Sequence, residues 1–465
     1  MHEAARLTFD AGTLLLQPSE SAVLPSGLAP EMWVYDARVA AFRCDAMHYQ
    51  TTCSAFARQP TMAVVDEVPG WLPLPFVERL ATDANRLPQL RPDQQAACQA
   101  WLGERQGMIV MPTGTGKTEV AMRLMAQVAA STLIVAPVRD LMYQWHQRLL
   151  DRFSIDAGIL GDSLYRVSPW TVTTYDSAFL HMAQLGNRFA MVIFDECHHL
   201  PGLQRQDAAR MCAAPFRLGL TATLERSDGR HQWNDQLIGP VLYRQHLGQA
   251  RGDTLADYQV HRIAVHLSET ERHRYSELAD QVRGYIYQRR QQEPTYDWAM
   301  LCRESGTDPL ARSALRAFHQ KQAIEDRAEE KLRVLEDLFR LHQGEPCLIF
   351  TGTNAMAREI SRRFLIPCLL SHCGKRERRD ALEGLATGRY PALVANRVLD
   401  EGVDLPDVKV AMVVGGSGSS RQALQRLGRI LRRSRYGSAC LYEIVTVQTR
   451  DELRSRKRRA NDAFR

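Results

Sequence analysis

Eight consecutive residues constrain this chain more than anything around them: Met111-Pro112-Thr113-Gly114-Thr115-Gly116-Lys117-Thr118. They follow the apolar run Met108-Ile109-Val110-Met111, a strand pattern, and open a helical pattern from Lys117 to Val128. A strand that turns through glycines into a helix aims backbone N–H groups into the turn, at the positive end of the helix dipole. That geometry cradles phosphate. Gly114 and Gly116 permit the tight backbone, Lys117 is placed to neutralise β- and γ-phosphate oxygens, and Thr118 offers a hydroxyl to Mg2+. Pro112, Thr113 and Thr115 complete the loop. ATP and Mg2+ are therefore the expected ligands, held on a parallel βα sheet.

Further along, Met191-Val192-Ile193-Phe194 delivers two consecutive carboxylates, Asp195 and Glu196, and then Cys197-His198-His199. An acidic pair after an apolar strand is a weak signal alone and a strong one downstream of a phosphate loop. Asp195 is expected to hold the Mg2+ shell, and Glu196 to orient or deprotonate the attacking water. Adjacent residues on a strand point opposite ways. That argues against a His198/His199 metal pair and for a role of His198 in coupling the nucleotide site to a nucleic acid.

Length and composition set outer limits. The chain has 465 residues, which suggests about three domains. It has 45% hydrophobic and 24% charged residues, the profile of an ordinary globular protein rather than a disordered or fibrous one. No apolar run is long enough to span a bilayer, and the start, Met1-His2-Glu3-Ala4-Ala5-Arg6, does not read as a signal peptide. The ten cysteines are scattered without a Cys-x-x-Cys pair, which argues against a zinc or iron–sulfur cluster and for a reducing cytoplasm. The net charge of +6 decides nothing by itself, and only 6 of the 59 cations are lysine.

Texture divides the chain. Residues 1–82 alternate short β-like runs with Pro/Gly turns. From 83 to 245 apolar strands alternate with helical patterns, the signature of βαβ units. A polar, Gly-containing stretch at 246–268 reads as a linker and the start of a second βα series. Residues 269–340 look like a helical insertion, 341–450 carry the second series, and 451–465 form a basic tail.

Taken together, these segments resemble a superfamily 2 helicase, in which Met111 in place of the loop's usual first glycine is a common departure. Leu90-Arg91-Pro92-Asp93-Gln94 resembles the adenine-reading element, with Gln94 as reader and Arg91 as its partner. Ala136-Pro137-Val138-Arg139 and Val172-Thr173-Thr174-Tyr175 resemble the strand-end loops that hold a nucleic-acid backbone, and Thr221-Ala222-Thr223 resembles the element linking hydrolysis to movement. Leu348-Ile349-Phe350-Thr351 and the run from Asn396 to Pro406, with Gly402 and Asp404 near the ribose or finger network, resemble the fourth and fifth motifs. Gln425-Arg426-Leu427-Gly428-Arg429-Ile430-Leu431-Arg432 resembles the sixth. The resemblance implies two tandem RecA-like P-loop domains with parallel sheets, an α/β fold, beside a small N-terminal α+β domain and the helical insertion. It also implies that Arg429 and Arg432 act as arginine fingers on the γ-phosphate, with Gln425 beside them, so that hydrolysis depends on closure of two lobes.

Asp195-Glu196-Cys197-His198-His199-Leu200-Pro201 and Ser419-Ser420-Arg421-Gln422-Ala423-Leu424-Gln425-Arg426-Leu427-Gly428-Arg429-Ile430-Leu431-Arg432 narrow the resemblance to the XPB family of DNA-repair helicases. That family carries an Arg-Glu-Asp element after the third motif. Here the place reads Arg226-Ser227-Asp228, without the middle acid, although Arg226 and Asp228 keep the flanking positions. Residues 1–82 resemble the damage-recognition domain of prokaryotic members, and 269–340 falls where the family has its thumb.

From Arg421 to Arg465 there are thirteen basic and four acidic residues, a surface suited to phosphate contacts of any sequence. The expected activity is ATP-dependent movement on, or opening of, DNA, 3' to 5' and in repair, by a cytoplasmic, nucleoid-associated monomer. Two alternatives stand beside it: a duplex-DNA translocase of a phage-defence or restriction system, and an ATP-gated DNA-binding module that recruits a nuclease. This sequence carries no nuclease signature, so any cutting needs a partner.

Overall fold

Parallel strands buried on both faces need continuous apolar runs and helical crossovers, and two stretches of this chain supply them. The computed structural model describes residues 5–18, 24, 28–58, 64–84, 87–226, 228–246, 258–370, 372–396, 408–416 and 439–459. Gly402, Asp404, Gln425, Arg429, Arg432 and Ser227 lie outside the described residues. The chain divides into two units, Met1–Gln249 and Ala250–Arg465.

The first unit opens with a small mostly antiparallel sheet: β1 (Ala5–Asp10), β2 (Thr13–Gln17), β3 (Val34–Asp36), β4 (Ala41–Asp45) and β5 (Val64–Asp66), in the order β3-β4-β2-β1-β5. Only β5 runs parallel to its neighbour β1. Leu7, Leu14, Leu16, Trp33, Phe42 and Cys44 line its core. Trp33 and Phe42 are therefore packing residues, while Tyr35 stays exposed on the edge strand.

The main sheet of this unit has eight strands: β6 (Gln106–Val110), β7 (Thr132–Ala136), β8 (Gly158–Gly161), β9 (Leu164–Arg166), β10 (Trp170–Thr174), β11 (Met191–Asp195), β12 (Phe216–Thr221) and β13 (Val241–Arg244). Their order is β13-β6-β12-β11-β7-β10-β8-β9, parallel except where β9 folds back on β8. Strands β7, β10 and β11 are buried along their whole length. The small sheet is fastened to this one. Asn187 donates from Nδ2 to the Val68 carbonyl at 3.0 Å. Gly70 N donates to Asn187 O at 3.2 Å, and Leu72 N to Arg188 O at 2.9 Å. The hairpin tip Gly12, at φ +86°, sits so close to Met211 that a Cβ there would lie 2.6 Å from its Cγ.

The second unit has six parallel strands, β14 (Tyr258–Val265), β15 (Cys347–Thr351), β16 (Cys368–Leu369), β17 (Ala392–Ala395), β18 (Val410–Val414) and β19 (Ala439–Thr446), ordered β14-β19-β18-β15-β17-β16. The chain between β14 and β15 forms helices Glu269–Gln292, Trp298–Glu304, Pro309–Asp326 and Glu329–Leu341. Ser268 and Glu271 make a reciprocal capping box on the first of these, and Asp308 caps the third. Small residues Ala311, Ala314 and Ala317 are buried on the third helix, where bulk would keep neighbours apart. Tyr296 is buried and donates to Glu304, while Trp298 packs on Phe318 in a tilted pair with ring centroids 4.2 Å apart. Of the aromatics interleaved with Arg283, Arg289 and Arg290, namely Tyr285, Tyr287, Tyr296 and Trp298, Tyr285 and Tyr296 serve packing, while Tyr287 and Trp298 are exposed. Arg454 of helix Arg450–Arg459 is likewise bound, to Glu325 at 2.7 Å. Among the described residues, no helix is long and apolar enough to cross a membrane.

Candidate nucleotide and coupling site

In the first unit the phosphate loop, the acidic pair, the Thr221 element and the loops after β7 and β10 leave the carboxyl ends of strands in one sheet, the edge where ligands bind in open α/β folds. Arg91 and Gln94 come instead from the start of helix Pro92–Glu104. The phosphate loop follows β6, and helix Lys117–Val128 begins directly after Gly116. Gly114 (φ +85°) and Gly116 (φ +83°) adopt the left-handed backbone that the turn demands. A Cβ at Gly116 would collide with the Gln94 amide. Lys117 is buried, its ammonium donating to Met111 O at 3.1 Å and to Pro112 O at 3.4 Å. Thr115 closes the turn by donating from Oγ1 to Pro112 O at 2.7 Å.

Arg91 and Gln94 converge on the same loop. Arg91 Nη2 donates to Thr115 O at 2.5 Å, and Gln94 Nε2 donates to that carbonyl at 3.1 Å. Gln94 Oε1 in turn accepts from Arg91 N at 3.1 Å. A nucleotide phosphate chain fits these residues. The Thr113 hydroxyl is buried without a hydrogen-bond partner in the loop that would cradle it, and a buried polar atom in that state calls for a ligand. Thr118 and Asp195 are the oxygen donors that would hold Mg2+, a hard cation that prefers oxygen.

Strand β11 ends at Asp195, and Glu196 turns the chain through the left-handed region at φ +48°. For a residue with a Cβ this costs about 1 kcal/mol or more. The turn that follows corrects the reading of His198 and His199 as strand neighbours pointing apart. They sit in a 3-10 turn, Cys197–His199, with ring centroids 4.3 Å apart, because the strand has already ended. Burial, and then the neighbouring Glu196 charge, push Asp195 up to about 6, against the Trp145 hydrogen bond and Lys117.

From Glu196 a continuous set of contacts runs outward. Thr221 Oγ1, at the end of β12, lies 3.4 Å from Glu196 Oε2 and 2.9 Å from His198 Nδ1, and donates to Thr223 O at 2.7 Å. Arg226 donates from Nη1 to the His198 carbonyl at 2.7 Å and grips Asp228 through Nε and Nη2 at 2.9 and 2.7 Å. Glu196, His198, Thr221, Thr223, Arg226 and Asp228 are therefore brought together.

The strand-end loops behave differently. After β7, Pro137 is buried while Arg139 is exposed and paired with Asp162. After β10, Thr174 caps helix Tyr175–Leu185 by accepting from Ser177 N. Thr173 is not brought to that surface: it is fully buried, and its hydroxyl donates to Leu160 O at 2.7 Å. In the second unit Thr351 is buried at the end of β15, within 3.2 Å of Thr353 O.

Two residues of this site escaped sequence reasoning. Trp145 Nε1 donates to Asp195 Oδ2 at 2.8 Å, and Arg148 Nη1 donates to Thr118 Oγ1 at 2.8 Å. Both come from helix Arg139–Phe153. Their three-residue spacing puts them on one helix face, but nothing in the sequence says what that face meets.

Against this geometry the known proteins can be set. Residues 87–226 match the family model for the res subunit of type III restriction enzymes, and residues 330–434 match the helicase conserved C-terminal domain. Residues 7–68 match the xeroderma pigmentosum group B helicase damage recognition domain. The chain is 40% identical over 372 residues to the DNA 3'-5' translocase XPB2 of Sulfurisphaera tokodaii, covering 80% of this chain and 84% of that protein. The chain belongs to the XPB family. A second XPB relative, the DNA 3'-5' helicase XPB of Kineococcus radiotolerans, is 29% identical over 381 residues, which cover 78% of this chain and 61% of that longer protein. Among solved structures, the helicase domain of Pyrococcus furiosus Hef matches with a TM-score of 0.56 at 18% identity, covering 78% of this chain and 97% of that one. At that identity the likeness concerns the fold: tandem helicase domains, here preceded by the XPB-type N-terminal domain.

Proposed function

We propose that this XPB-family chain is an ATP-dependent DNA translocase or helicase that moves 3' to 5' and serves DNA repair. The relatives' names support the direction and the substrate. The observation that carries the reading is the unbroken contact from the acidic pair to Arg226. The residue that would position the attacking water shares Thr221 with His198, and the His198 carbonyl holds Arg226.

ATP with Mg2+, when bound, supplies the phosphoanhydride whose hydrolysis drives movement. Around it, backbone N–H groups from Gly114 to Thr118 and the Lys117 ammonium hold negative charge, and Gln94 and Arg91 fix the loop from behind. Thr118 and Asp195 hold the metal. Glu196 orients the water and takes its proton. Arg139 faces the DNA backbone from the strand end after β7, while Thr174, buried as the cap of helix Tyr175–Leu185, holds the second strand-end loop in shape. Gln425, Arg429 and Arg432, assigned from their motif, complete stabilisation of the transition-state charge, and Gly402 and Asp404 support them. The chain acts as a monomer in the nucleoid region.

The test is a strand-displacement assay on 3'-tailed and 5'-tailed duplexes, run beside ATPase rates with single-stranded, duplex and no DNA. Displacement from 3'-tailed substrate with DNA-stimulated hydrolysis is expected. Hydrolysis indifferent to DNA refutes the motor, and duplex-stimulated hydrolysis without displacement favours a translocase that does not separate strands.

A further inference from the structure

Both oxygens assigned to Mg2+ already receive a hydrogen bond from the same neighbouring helix. Asp195 Oδ2 accepts from Trp145, and its other oxygen accepts from Glu196 N at 3.0 Å, so the plane of the carboxylate is fixed from two sides. Thr118 Oγ1 accepts from Arg148, one helical turn beyond Trp145. A further turn on, Arg152 Nη2 reaches Glu119 at 3.5 Å. Residues 145, 148 and 152 make one stripe along helix Arg139–Phe153, laid against the start of the phosphate-loop helix and the end of β11.

The two donors differ in kind. The Trp145 indole is neutral, buried and anchored, and a group that orients a metal-binding carboxylate raises metal affinity. The Arg148 guanidinium is a full positive charge, half-buried and 2.8 Å from the hydroxyl that a divalent cation needs. Two cations on one oxygen repel each other. We propose that this helix face sets the Mg2+ affinity of the site with opposite signs: Trp145 positions the Asp195 carboxylate for the metal, and Arg148 competes with the metal for Thr118. The inference rests on the assignment of Thr118 and Asp195 to Mg2+. Because the helix begins at Arg139, beside the strand-end loop assigned to DNA, the same stripe gives a route from the DNA backbone to the metal site.

The experiment is binding of a fluorescent ADP analogue to the full chain, titrated from EDTA into rising Mg2+, with melting temperature recorded for each variant. Trp145→Phe keeps an aromatic ring and removes the N–H. Its half-saturating Mg2+ should rise about tenfold or more, the scale of lost outer-shell contacts. Arg148→Gln should lower the half-saturating Mg2+ by roughly threefold, the scale of one partly exposed charge interaction, and Arg148→Lys should restore part of it. Shifts in the same direction, or none, overturn the proposal, as does an equal change in nucleotide binding in EDTA. If Trp145→Phe fails to fold, the sign of the Arg148→Gln shift decides alone. Asp195→Asn separates the two levels. Mg2+ dependence that survives it refutes the metal assignment itself, whereas its loss alongside unshifted Trp145 and Arg148 variants refutes only this inference.

Discussion

The two parallel sheets end in polar clusters of opposite character. At the carboxyl edge of the first, Lys117, Asp195 and Glu196 sit among donors and acceptors that leave valence unused, such as the orphaned hydroxyls of Thr113 and Thr223. In the second unit, Lys331 and Asp451 are fully buried and joined at 2.8 Å. Lys331 also donates to Glu325 O at 3.0 Å, Arg454 binds Glu325 and Asp326, and Thr446 N donates to Asp451 at 3.1 Å. That cluster ties helices Pro309–Asp326 and Glu329–Leu341 to the end of β19 and to helix Arg450–Arg459. Charge that is buried and mutually paired builds structure. Atoms without a hydrogen bond occur in both clusters, Asp451 Oδ1 and Arg454 Nε included, so place sets the first apart: charge held at the open carboxyl edge of a sheet is available for chemistry. Two of only six lysines mark the two cases.

Four measurements press on this contrast. Lys117→Ala should remove ATP turnover, a loss of more than about 10^2–10^3-fold, while thermal unfolding stays near that of the parent chain. Turnover that persists erases the distinction. Lys331→Ala should do the reverse, costing about 3–5 kcal/mol in denaturant unfolding because it strands the buried Asp451 carboxylate. Nucleotide binding by the remaining folded fraction should be unchanged.

A smaller effect comes from pH. Burial pushes Asp326 up to about 6 despite Lys331 and Arg454. Burial also acts upward on Asp451, but there Lys331 prevails and holds the carboxyl below its usual range. Over roughly pH 4–6 the folded chain keeps the Asp326 proton that the unfolded chain has lost, so this group's contribution to stability falls as pH rises through that window. Asp326→Asn should flatten that slope, worth about 1–3 kcal/mol, in melting curves taken at intervals from pH 4 to 8. An unchanged slope places the titration elsewhere. Smallest are the helix caps. Thr174 and Thr353 each accept from a backbone N–H at 3.3 Å after a strand end. Either change to Ala should cost about 1 kcal/mol, but only Thr174→Ala should also weaken DNA binding in a fluorescence-anisotropy titration.

The core strands were readable because a parallel strand buried on both faces has to be a continuous apolar run. Cys347–Thr351, Ala392–Ala395 and Val410–Val414 appear in the fold with the limits their hydrophobicity gives. Strands at or next to a sheet edge were not readable. Strands β8, β9 and β13 carry few apolar residues in a row, and β14 alternates polar and apolar residues within a stretch that reads as linker. The phosphate loop and acidic pair are local in sequence, so their convergence follows from spacing. Trp145 and Arg148 reach Asp195 and Thr118 only through helix packing across 50 and 30 residues. The burial of Thr173 was equally hidden, because motif likeness does not say that β10 is covered on both faces.

The fastening of the N-terminal sheet has a consequence for how the chain measures its surroundings. Three hydrogen bonds through Val68, Gly70 and Leu72, and the close approach of Gly12 to Met211, tie that sheet to the P-loop sheet. A ligand seated on the small sheet therefore lies on the same compact unit as Lys117, joined to its sheet by these contacts and not by a bare linker alone.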